Sequence, residues 1–91
     1  MSRIDINNLQ DIPNVGKSTE NIFNTLGIYK PTQLIGRDPY ILYNELCTIT
    51  HKKYDPCVID IFIATVRYMK GESPQKWWKF TAERKRKLGT N

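Results

Sequence analysis

Three Asp-Pro or Ser-Pro junctions constrain this chain more than any other feature: Asp38-Pro39, Asp55-Pro56 and Ser73-Pro74. At each, an Asp or Ser can accept an unpaired amide hydrogen from a first helical turn. The proline that comes next lacks the N–H such a turn leaves orphaned, and its fixed φ suits a helix. The junctions predict helices starting near residues 39, 56 and 74. The helix from Pro39 carries Ile41, Leu42, Leu46 and Ile49 at near-helical spacing and is expected to end between His51 and Tyr54. The helix from Pro56 is apolar nearly all round, from Val58 to Met69, with Gly71 as its stop. Its β-branched residues also suit a strand, but its length and its cap favour a helix. All-round apolarity makes it the central helix that the others cover.

The N-terminal half has a shorter rhythm. Asn7 with Gln10 resembles a capping pair before a short helix containing Leu9 and Ile12. Pro13-Asn14-Val15-Gly16 reads as a tight turn. Lys17 to Leu26 reads as a helix with Ile22, Phe23 and Leu26 inward, stopped by Gly27. Pro31 to Ile35 forms another short turn closed by Gly36. No strand pattern is found. With 91 residues the chain can build one modest core. The expected fold is therefore all-α: one compact domain of five to six short helices over residues 1–80, with residues 81–91 as a basic C-terminal tail or helix extension.

Charge is uneven along the chain. Residues 1–50 hold four Lys/Arg against five Asp/Glu, and residues 51–91 hold ten against four. The net charge of +5 thus arises in the second half, concentrated in Lys76, Lys79, Arg84, Lys85, Arg86 and Lys87. Such a cluster suits a polyanion, nucleic acid being the commonest, and equally suits a solvated tail with no partner. There is no apolar run of about 18 residues, and MSRIDINNLQ lacks the apolar core of a signal peptide. A cytoplasmic protein with free thiols and no membrane partner is expected.

Leu9 to Ile28 resembles a helix-hairpin-helix motif, with Ile12, Pro13, Val15, Gly16, Leu26, Gly27 and Ile28 on its pattern. Asn14 stands at the first hairpin glycine, and Asn is the best non-glycine residue for a left-handed backbone. Glu20 replaces the small residue usual at its position. Thr32-Gln-Leu-Ile-Gly-Arg-Asp-Pro, Leu42-Tyr-Asn-Glu-Leu-Cys, Asp55-Pro-Cys-Val and Lys76-Trp-Trp-Lys then come in order. Over Leu9 to Lys79 the chain resembles a small bacterial family of pathogenicity-locus or mitomycin-resistance helix-hairpin-helix proteins. The resemblance implies a fold that is SAM-domain-like or like the hairpin domains of DNA polymerases.

In such a hairpin, amides of the glycine turn and of the next helix's first turn are unpaired and sit at the positive end of the helix dipole. A DNA phosphate can rest there on Asn14, Val15, Gly16, Lys17 and Ser18, and the C-terminal cations would add screened attraction. Contacts of this kind position a duplex without reading its sequence. The expected function is a non-enzymatic, non-sequence-specific DNA-binding module. The alternative is a protein-interaction adaptor built on the same scaffold.

Other constellations are poorer. Val15-Gly16-Lys17-Ser18 lacks the earlier glycine of a P-loop, Asp11 standing there. Cys47, His51 and Cys57 offer three soft ligands where closed zinc sites use four. Two thiols packing helix on helix is the plainer reading, with a redox disulfide as an alternative. Cys47 and His51 lie one helical turn apart, yet nothing supplies an oxyanion donor. No catalytic residue, metal or cofactor is expected. Of Trp77 and Trp78, at least one should close the open side of the central helix, although aromatics between lysines also suit base stacking.

Overall fold

The computed structural model describes residues 3–89. Among them are four α-helices: α1 (Lys17–Thr25), α2 (Pro39–Thr50), α3 (Cys57–Met69) and α4 (Thr81–Leu88). Three single 3-10 turns, Leu9–Asp11, Pro31–Leu34 and Trp77–Phe80, link them, and no strand occurs among the described residues. The fold is all-helical and forms one body.

Two of the three junctions start helices as their chemistry requires. Asp38 Oδ1 accepts from the amides of Tyr40 (2.8 Å) and Ile41 (3.3 Å). Asp55 Oδ1 accepts from the Cys57 amide at 2.8 Å. That bond holds the Asp55 carboxyl below the ordinary carboxylate range. The third junction behaves differently. Residues 74–76 form no helix, and helical structure resumes only at Trp77. The cause is tertiary: Asn14 Nδ2 donates to the Gln75 carbonyl (2.7 Å) and the Trp77 amide donates to Asn14 Oδ1 (3.2 Å). Backbone groups that a helix beginning at Pro74 would use are thus engaged elsewhere. Asn7 likewise caps nothing. The Leu9 turn has Asn8 at its N-cap without a side-chain bond, and Gln10 Nε2 donates to Glu20 Oε1 at 2.9 Å.

α3 is the central element. It packs against α2, α4 and the Pro31 and Trp77 turns, and eight of its residues are buried. Phe62 stacks on Phe23 of α1 with ring centroids 5.3 Å apart. α2 turns Leu42, Tyr43 and Leu46 inward. Ile41 and Ile49, which the helical spacing grouped with them, are 55% and 53% exposed.

α1 ends in a Schellman motif. The Ile28 amide donates to Phe23 O (2.9 Å) and the Gly27 amide to Asn24 O (3.0 Å), with Gly27 at φ +80. A Cβ on Gly27 would meet nothing within 4 Å, so glycine is needed there for its backbone conformation. The sole histidine does the same work for α2: His51 is its left-handed C-cap at φ 56.

A buried ion pair joins α4 to the core. Asp60 of α3 is fully buried, and Arg84 of α4 is 7% exposed. The guanidinium meets the carboxylate side-on, Nε–Oδ1 2.9 Å and Nη2–Oδ2 3.2 Å, while Thr81 Oγ1 donates to Oδ2 at 2.7 Å. Asp60, in turn, raises the Arg84 pKa further. Arg67 and Glu83 add a second α3–α4 ion pair. Residues 81–88 form α4, which these pairs pack onto α3.

Arg3 closes the far end of α3. Its amide donates to Met69 O (3.0 Å), Nε to Tyr68 O (2.8 Å) and Nη2 to Glu72 O (2.9 Å). A cation at these C-terminal carbonyls complements the helix dipole.

Candidate nucleic-acid interface

The turn between the Leu9–Asp11 3-10 turn and α1 is built from Ile12 to Gly16. Ile12 and Val15 point into the core. Asn14 between them takes the left-handed conformation at φ 75, which Asn tolerates better than most non-glycine residues. Gly16 is the N-cap of α1, in extended backbone (φ −99, ψ −169), and no side chain caps the helix. The amides of Gly16, Lys17, Ser18 and Thr19 make no hydrogen bond to the described residues. Glu20, in the first turn of α1, accepts from Gln10 Nε2 instead.

Nothing inside the molecule demands a glycine at position 16. Its φ is open to any residue, and a Cβ there would meet nothing within 4 Å. The backbone simply lies bare to solvent. Lys17 and Ser18 beside it are exposed.

Asn14 brings the second component to this turn. By holding Gln75 O and the Trp77 amide it seats the segment 74–79 against the turn, where Pro13, Asn14, Pro74, Gln75, Lys76 and Lys79 line one shallow groove. Lys76 and Lys79 are both exposed. Two of the six expected cations, Lys76 and Lys79, therefore share a groove with Pro13 and Asn14.

The other four lie on α4. Arg84 is inside, its charge committed to Asp60, and is no surface cation. A lone carboxylate in an apolar helix needs a buried partner. That demand, readable at Asp60, is the signal that marks Arg84 as an inward residue. Lys87 lines a separate groove with Gly36 to Tyr40 of the α2 start, its ammonium 5.8 Å from the Tyr40 ring centroid. Lys85 and Arg86 are exposed on α4. Val15 also departs from expectation as a phosphate ligand: its side chain is buried and its amide donates to Ile12 O at 3.1 Å. Asn14 acts as a clamp, its Nδ2 and Oδ1 each making one hydrogen bond.

The tryptophans divide the two roles between them. Trp77 packs against the core, and Trp78 is 55% exposed. Cys47 and Cys57 are free, half-buried thiols. Among the described residues no three His, Cys, Asp or Glu side chains gather as a metal site. Asp55, hydrogen-bonded to the Cys57 thiol, pushes its pKa up, and burial adds to this. Such a thiol is a poor nucleophile at neutral pH. Tyr43 donates to the Tyr54 carbonyl, and burial, with the Cys47 contact second to it, pushes its phenol up to about 12. No helix among the described residues is long and apolar enough to cross a membrane.

Residues 2–86 match the family described as Pathogenicity locus (Cdd1), and the chain belongs to that family. Over 88 residues it is 35% identical to the mitomycin resistance protein McrB of Streptomyces lavendulae, covering 97% of this chain and 84% of the relative. No solved structure matches it.

Proposed function

We infer that Leu9 to Ile28 works as a helix-hairpin-helix and that the domain is a non-enzymatic module docking on DNA without sequence preference. One observation carries the reading: amides without protein acceptors at Gly16 to Thr19 open α1 directly after the turn against which Asn14 seats Lys76 and Lys79. A phosphate oxygen accepts from the amides of Gly16, Lys17 and Ser18 at the positive end of α1. Gly16 admits the phosphate because no side chain projects there. Lys17, Lys76 and Lys79 neutralise its neighbours along the strand. A single such site is weak, and its affinity is mostly counterion release.

Titrating a labelled duplex by fluorescence anisotropy tests this. Three lysines on phosphates predict roughly 40-fold weaker binding on going from about 50 to 200 mM salt. Replacing Lys76 and Lys79 by Gln should reduce that dependence to roughly fourfold, since each lost phosphate contact lowers the salt slope by about one. Absence of duplex binding at low salt overturns the reading.

The second reading, an adaptor for a protein partner, is favoured by exposed Ile41 and Ile49 on the outer side of α2. Substituting both by Glu separates the two: duplex binding survives if the hairpin carries the function.

A further inference from the structure

Trp78 belongs to the same stretch as Lys76 and Lys79, so a role for it in DNA binding rests on the hairpin reading. The stretch Pro74 to Thr81 contains those two lysines and no acid. Its two indoles have different employment. Trp77 covers part of the core and has its amide on Asn14. Trp78, one Cα step of about 3.8 Å further on, is more than half exposed. The two rings meet edge-to-face, centroids 5.6 Å apart at 83°, so the outer ring is braced by the inner one. The Lys76 ammonium stands 6.0 Å from the Trp78 centroid.

Leaving so large an apolar group in water forgoes the burial that stabilises a fold this small. The core does not need it, because Trp77 and Phe80 already close that side of α3. What a braced, exposed indole between two lysines can do is stack. In an intact duplex every base already has neighbours on both faces, and an indole meets only groove edges. An unpaired base has a free π-face, and its flanking phosphates suit the lysines on either side.

We propose that Trp78 is a stacking platform for an unpaired base, so that the domain prefers duplexes carrying a single-stranded end to blunt duplexes. The hairpin amides hold a phosphate of the paired part. The indole takes the first splayed base beyond it, and Lys76 and Lys79 hold the backbone between. Any base can stack, so the preference is for DNA structure and not for sequence.

The test uses the full chain with two labelled DNAs of equal nucleotide count, one a blunt duplex and one a shorter duplex with an oligothymidine tail. The tailed DNA should bind at least about fivefold more tightly, the factor given by the lower bound of base–aromatic stacking. Trp78→Ala should abolish that preference and leave the blunt duplex unaffected, while Trp78→Phe should retain part of it. In Trp77→Phe, Trp78 is the only indole, and the tailed DNA should quench its fluorescence more than the blunt one. Equal affinity for both DNAs, or a preference that survives Trp78→Ala, overturns the role of Trp78 and leaves the hairpin reading standing. If neither DNA binds at low salt, the hairpin reading fails and the stacking role with it.

Discussion

Asp60 and Arg84 show how much one residue pair decides. A carboxylate with no exposed surface is tolerated because Arg84 and Thr81 occupy its oxygens. Asp60→Ala or Arg84→Ala leaves the other charge buried and unpaired, and should cost about 3–5 kcal/mol in urea denaturation. Replacing both by leucine and methionine should restore most of that, since apolar substitutes for buried pairs are often neutral. Tyr43 supplies a pH signature. Its folded pKa, about 12, lies above the unfolded value of 10.0, because burial and Cys47 disfavour the phenolate. Its contribution to stability is therefore complete below pH 10 and is lost as pH rises toward 12. Thermal melts across this alkaline range should fall steeply in the native chain and more gently in Tyr43→Phe.

Among the elements, what was legible in the sequence was local. Asp38 and Asp55 bond amides two or three residues away, so their helix starts could be read from the residues alone. The same holds for the Gly27 stop and the left-handed Asn14. Ser73-Pro74 carries the same signature, yet no helix starts there, because Asn14 bonds the chain more than sixty residues away. No pattern around Pro74 announces that. Arg84 likewise stands in a basic run, and only Asp60, twenty-four positions earlier, explains why it alone turns inward. Asn14 can be tested for its part in joining these elements. Asn14→Gly keeps the backbone conformation but removes both side-chain bonds, so it should cost about 1–2 kcal/mol. Asn14→Ala adds the strain of a left-handed alanine, roughly a further 1 kcal/mol. Both should weaken duplex binding by freeing the Lys76 segment, and anisotropy would register it.

At the scale of the whole molecule, the candidate features meet where Asn14 seats the Lys76 segment. α3 is covered on its several sides by short elements, and the turn before α1 meets the segment before α4 across the fold. Net positive charge alone selects no surface; its cations divide among an inward arginine, a groove at the start of α2, the exposed side of α4 and the groove beside Asn14. Position 16 is where the DNA-docking reading is most exposed to failure. Gly16 is an N-cap with dihedrals open to any residue and with free space around its Cβ position. Gly16→Asp should cap α1 and leave the protein as stable or more stable by a few tenths of a kcal/mol. The same carboxylate would occupy the amides and repel phosphate, so duplex binding at low salt should be lost. Duplex affinity unchanged in a folded Gly16→Asp chain would contradict the hairpin's role as the phosphate site.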